Sequence, residues 1–136
     1  MIIIKECTID EYRMLAKMNK ELIEDEKSNN PMTLEELEGR MKTFLETEYK
    51  GYLFKNEEEV VGYALLNVSK QPKYLRQFFI CREYRRRHYG RQTFDKLVEY
   101  IGTEQLELEV LPWNVAGQKL WENCGCAEIS RDMRRG

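Results

Sequence analysis

Five arginines, Arg82, Arg85, Arg86, Arg87 and Arg91, fall within one short stretch that also holds His88, Tyr89 and Gly90. The run before them, 74–80, is dominated by aromatic and branched side chains and reads as a strand. After them Phe94, Leu97, Val98 and Ile101 recur at helical spacing. A strand that ends in a basic turn and a helix N-terminus suits an anion, because unpaired backbone N–H groups and the helix dipole both favour phosphate. The plainer alternative is an ordinary helix start decorated with surface arginines.

The acidic residues gather elsewhere. Glu21, Glu24, Asp25, Glu26, Glu35, Glu36 and Glu38 load the N-terminal third, so the net charge of −2 hides a segregated distribution. These carboxylates could attract a cationic amine, or simply be solvated. His88 is the single histidine, and a hydrolase triad would have to use it as base inside an arginine cluster, which is unfavourable. Cys7, Cys81, Cys124 and Cys126 read as reduced thiols; the pair Cys124 and Cys126 lacks the further ligands that zinc needs, so no metal site is expected.

The elements that must position these residues follow from periodicity and punctuation. Residues 2–4 suggest a first strand. Thr8 with Glu11 fits a capping box ahead of a helix carrying Tyr12, Leu15, Met18 and Leu22 and running to about Glu26. Pro31 breaks the chain, and Thr33 with Glu36 opens a second helix with Leu34, Leu37, Met41, Phe44 and Leu45 on its apolar stripe. Residues 52–54 and 60–66 form a hairpin about a polar turn, and the strand 74–80 extends it into a meander, with Tyr74, Arg76 and Phe78 expected on one face. A helix over 87–101, a strand over 106–110, a helix capped by Asn114 and ended by Gly125, and a last strand over 127–134 complete the order β-α-α-β-β-β-α-β-α-β. The central strand–helix–strand unit should be parallel and right-handed. The expectation is therefore an α/β fold, a mixed and mostly antiparallel sheet with helices on both faces.

With 136 residues, 42% of them hydrophobic and 34% charged, one globular domain spanning 1–136 is expected. No stretch is long enough to span a bilayer, and residues 1–4 are too short a run for a signal peptide, which favours the cytoplasm.

From Tyr74 to Cys126 above all, the chain resembles the GNAT superfamily of acyl-CoA-dependent N-acetyltransferases. Its pyrophosphate motif, Arg/Gln-x-x-Gly-x-Gly/Ala, is similar to residues 85–90, where Arg85 and Gly90 match and His88 replaces the middle glycine. A second motif is similar to Asn114, Gly117, Trp121, Gly125 and Cys126. The resemblance implies acetyl-CoA as co-substrate, with its pyrophosphate on residues 85–91: Arg85, Arg86, Arg87, His88, Tyr89, Gly90 and Arg91. It also implies that the strands ending at Ile80 and Val110 splay, and that pantetheine lies along the backbone of Phe79, Ile80 and Cys81 with Asn114 and Trp121 nearby.

Direct attack by a primary amine in a ternary complex, with no covalent enzyme intermediate, is the chemistry the resemblance implies; a backbone N–H near Ile80 would polarise the carbonyl. Trp121 stands where many members carry a tyrosine general acid. An indole N–H does not titrate usefully, so Trp121 either packs on the pantetheine arm or completes the core. No general acid or base is evident, and Glu24 and Tyr74 are weak candidates. Aminoglycosides, polyamines, amino acids, protein termini and lysines all stay open as acceptors. A catalytically silent acyl-CoA-binding module is the alternative; a nucleic-acid-binding domain is disfavoured by the negative net charge and the lack of interleaved aromatics. A homodimer could form through the edge strand 127–134.

Overall fold

A computed structural model describes residues 1–85, 89–102, 105–109 and 113–127. Its described elements are β1 (Ile2–Glu6), α1 (Tyr12–Asp25), α2 (Leu34–Glu46), β2 (Tyr49–Asn56), β3 (Glu59–Asn67), β4 (Lys73–Ile80), α3 (Tyr89–Ile101), β5 (Leu106–Leu108) and α4 (Val115–Asn123). Short 3-10 turns precede α1 at Ile9–Glu11 and follow β4 at Arg82–Tyr84. The Thr8–Glu11 capping box therefore starts the 3-10 turn, and α1 begins one residue after it.

The five described strands lie in the order β1-β2-β3-β4-β5. β1 to β4 pair antiparallel, and β4 pairs parallel with β5 across α3. This is the mixed sheet expected from the sequence. Val110 and the proposed last strand beyond Ala127 lie outside the described residues.

Two cores flank the sheet. On one face Leu15 and Met18 of α1 and Leu37 and Met41 of α2 pack on Leu53, Tyr63, Leu65 and Phe79. On the other, Phe94 and Leu97 of α3 pack on Ile4, Phe54, Leu66, Leu75 and Ile80, with Trp121 of α4 against them. Each such side chain contributes roughly 1.5–3 kcal/mol when fully buried, which is why the helical stripes and strand alternation settle which faces meet.

β4 does not alternate regularly. Leu66 pairs with Leu75 but Leu65 with Gln77, so Arg76 is an extra residue in the ladder, a β-bulge. The bulge turns two consecutive side chains toward α2. The Arg76 guanidinium lies 4.8 Å from the ring centroid of Phe44, and Gln77 Oε1 accepts from the Tyr63 hydroxyl at 2.7 Å. Phe78 then falls on the α3 and α4 side. The expectation that Tyr74, Arg76 and Phe78 share one face is thus corrected: an inserted residue inverts the pattern after it.

Candidate active site

Among the described residues β5 pairs with β4 only as far as Leu75, and no described strand pairs with residues 76–80 along that edge beyond the bulge. Which groups face that edge follows from the antiparallel alternation. Cys81 donates its N–H to the Val61 carbonyl at 2.8 Å, and a Cβ on Gly62 would stand only 2.0 Å from the Phe79 carbonyl oxygen. Phe79 and Cys81 are therefore committed to β3. By alternation Phe78 and Ile80 turn their N–H groups into the gap, and the Ile80 carbonyl there already accepts from Arg85 Nε at 2.8 Å. The gap thus offers the N–H of Ile80, as the sequence suggests, and that of Phe78, which it does not.

α3 is described from Tyr89, with Gly90 and Arg91 following it. The Tyr89 ring sits edge-on to Tyr84 at 5.7 Å. A Cβ at Gly90 would lie 3.1 Å from Leu120, so the glycine lets α3 approach α4 closely. Arg91 is exposed. Arg86, Arg87 and His88 lie outside the described residues.

Arg85 and Arg82 are engaged by α1. Arg85 Nη2 donates to Asp25 Oδ2 at 2.6 Å, and Arg82 Nη2 donates to Asp25 Oδ1 at 2.8 Å. Arg85 also stacks on Phe79 at 5.2 Å. Burial alone would raise the Asp25 pKa, but the hydrogen bonds and charges of Arg85 and Arg82 outweigh it and hold the carboxyl below its ordinary value. Arg85 is thereby a tether between α1 and the end of β4.

Of the three acids ending α1, Glu24 also approaches Arg82, at 3.8 Å. Glu26 differs: it is half-buried, meets no cation within ion-pair distance among the described residues, and has its pKa raised by burial and then by Asp25. Its charge acts on the fully buried Tyr63. The sequence grouped it with its neighbours because only the fold separates them. Tyr74 is half-buried, with Lys70 over its ring at 5.3 Å, and burial followed by Glu109 raises its pKa.

Trp121 lies edge-on to Phe78 at 5.1 Å and to Phe94 at 5.2 Å, so it completes the core and backs the strand edge at Phe78. Asn114 caps α4 through Oδ1, accepting from Gly117 N–H at 3.0 Å; a side chain on Gly117 would collide with it at 2.5 Å. Gly125, at φ +85°, closes a Schellman motif with Cys126 N–H on the Trp121 carbonyl at 2.9 Å. The second motif is thus one capped helix that aims Trp121.

Burial, then Glu83 and Glu21, push the Cys81 thiol up to about 11 despite Arg85, which makes it a poor nucleophile. Among the described residues no group of three or more His, Cys, Asp or Glu side chains could hold a metal ion. Among the described residues a cavity of roughly 590 Å³ lies between α3, β5 and the end of α4, lined by Phe94, Val98, Leu106, Leu108 and Cys124.

No curated protein matches the sequence. Among solved structures, a possible acetyltransferase from Clostridium difficile 630 superposes with TM-score 0.79 at 18% identity, covering 99% of this chain and 96% of that one. A "predicted acetyltransferase with acetyl-CoA" from Clostridium acetobutylicum gives 0.74 at 10% identity, covering 100% and 96%. The ribosomal-protein-alanine N-acetyltransferase of Brucella melitensis biovar Abortus 2308 gives 0.73 at 13% identity, covering 100% of both chains. These likenesses establish the fold, and the family model for acetyltransferases of the GNAT family matches residues 15–126. By that match the chain belongs to the GNAT acetyltransferase family.

Proposed function

We propose that the protein, acting as one domain, transfers an acetyl group from acetyl-CoA to a primary amine by direct attack in a ternary complex. The observation that carries this is the edge of β4 after the bulge, along which no described strand pairs and toward which the Phe78 and Ile80 N–H groups turn, with the described start of α3 at Tyr89 and Gly90 following β4 in the chain. A donor row of this kind fits the amide-rich pantetheine arm, and first-turn N–H groups fit a pyrophosphate. Phe78, Ile80, Tyr89, Gly90 and Arg91 would hold acetyl-CoA; Arg86, Arg87 and His88 extend the same stretch in sequence. The Clostridium acetobutylicum relative was determined with acetyl-CoA, which supports that ligand class.

When bound, the thioester supplies an activated acetyl group. The chain's own part is to point an N–H at the carbonyl oxygen and to leave the amine unprotonated. Glu26 suits the second task, since burial raises its pKa and no cation among the described residues stands within ion-pair distance of it, whereas Glu24 faces Arg82. The C–N bond forms as the C–S bond breaks, the nitrogen loses a proton and the thiol product gains one. Trp121 donates no titrating proton, and Asn114 keeps its side chain on its own helix. No described helix is long and apolar enough to cross a membrane, in keeping with a cytoplasmic enzyme.

Calorimetry with acetyl-CoA, followed by thiol release across a panel of amines, tests this. Binding with turnover supports it, and absence of binding sinks it. Binding without turnover on any amine would favour the silent module.

A further inference from the structure

Two guanidiniums converge on the α2 face of the bulge, and no described carboxylate pairs with either. Arg40 lies 5.4 Å and Arg76 4.8 Å from the ring centroid of the same Phe44. Arg40 Nη2 donates to the buried Asn19 at 3.0 Å, while its Nε is buried and has no hydrogen-bond partner. Arg76 reaches the Tyr49 hydroxyl through Nη1 at 3.4 Å and is otherwise exposed. Among the described residues no carboxylate stands within 4.0 Å of either guanidinium. Glu109 acts on Tyr74, and Glu26 on Tyr63, so both acids border the cluster without pairing with it.

Bringing two like charges together, one with an unsatisfied buried N–H, costs free energy unless an anion completes the group. The location gives that cost a use. Arg76 is the bulge residue itself, one position past the last β4–β5 pair and two before Phe78. An anion held there lies on a substrate entering from the α1 and α2 side, opposite Trp121. Two of the acids that could welcome a polycation, Glu24 and Asp25, are already spent on Arg82 and Arg85.

We infer that Arg40 and Arg76 form an anion-binding subsite for the acceptor, and that the acceptor is a small amine bearing a carboxylate or phosphate group, in contrast to a polyamine or aminoglycoside. This rests on the acetyl-transfer reading above and names its substrate class. The anion docks at the two guanidiniums, Tyr49 and Gln77 border it, and Glu26 stands on the same face for the amine end.

The test measures thiol release from acetyl-CoA with free L-amino acids, the matching L-amino acid carboxamides, aminoalkyl phosphates, spermidine and an aminoglycoside. The best amino acid or aminoalkyl phosphate should exceed its uncharged counterpart by at least about tenfold in kcat/KM. In Arg76→Gln that preference should collapse toward unity, with the acetyl-CoA Kd from calorimetry unchanged. Arg40→Gln should do the same, and because Arg40 also holds Asn19, Arg76→Gln is the arm whose folding is not in question. Preference for amino acids or for aminoalkyl phosphates identifies which anion is read. Equal rates on acids and amides, a preference for spermidine or the aminoglycoside, or an unaltered preference in Arg76→Gln overturns the subsite. If acetyl-CoA does not bind, the transfer reading falls. The subsite is then decided by NMR titration of the arginine Nε–Hε signals with amino acids: saturable shifts at Arg40 and Arg76 support it, and none overturns it.

Discussion

Arg85 and Asp25, 60 residues apart in sequence, are joined by a 2.6 Å hydrogen bond from Nη2 to Oδ2, while Arg85 Nε holds the carbonyl of Ile80. Asp25 ends α1, where the helix dipole disfavours an anion, so the arginines offset a local cost and fix the turn after β4 in one contact.

Asp25→Asn should therefore destabilise the protein at pH 7 by about 1 kcal/mol, a figure already reduced for solvent screening. The sign of the pH dependence follows from the lowered pKa. A carboxyl depressed in the folded state stabilises above its unfolded value and loses that contribution as pH falls through the folded one. Urea unfolding at pH 7 and near pH 3 should show the difference from wild type shrinking at the lower pH; a constant difference would contradict the ion-pair account.

Gly62 and Gly39 should respond oppositely to alanine. At Gly62 the new methyl group would meet the Phe79 carbonyl at 2.0 Å, where backbone must move, at a cost of about 3 kcal/mol or more. At Gly39, inside α2, nothing lies within 4 Å, and alanine should stabilise by about 0.5–1 kcal/mol. Urea midpoints of the two variants settle both signs.

Trp121→Phe should retain most stability and turnover, since Phe78 and Phe94 still meet a ring. Trp121→Ala should cost about 2 kcal/mol, less than the roughly 3–5 kcal/mol of a fully buried aromatic ring because Trp121 is half-buried. If the indole only positions Phe78, the pH–rate profile of Trp121→Phe keeps the wild-type shape; loss of one limb would assign residue 121 a proton-transfer role.

The thiols should be slow. Burial, then Glu11, raises Cys7 to about 12, and burial holds Cys81 and Cys124 at about 11. At pH 8 a group with pKa 11 is thiolate in roughly one molecule in a thousand. Iodoacetamide at that pH should label the folded protein far more slowly than the urea-unfolded chain, and Cys81→Ala should keep acetyl transfer. Loss of turnover in Cys81→Ala would argue for a covalent route.

The nucleic-acid alternative weakens on the same geometry. Two of the five clustered arginines are committed to Asp25, and the stacking aromatics Phe78, Phe94 and Trp121 face one another inside the core.

What the sequence determined by itself is what a few residues of reach can encode. Thr33 with Glu36, Asn114 with Gly117 and the Gly125 stop are contacts within a turn or two, so their types and spacing specify them. The helical stripes and the hairpin place helices on both faces of a mixed sheet, and the basic turn before Gly90 marks the end of β4. Only the tertiary structure decided the rest. That Arg85 meets Asp25, that Glu26 is not spent like Glu24, and that Arg40 and Arg76 meet at Phe44 depend on α1, α2 and β4 stacking together. The bulge at Arg76 is the sharpest case. One inserted residue is invisible to a period-2 pattern, yet it reverses every side chain after it and sets Arg76 at the mouth of the gap.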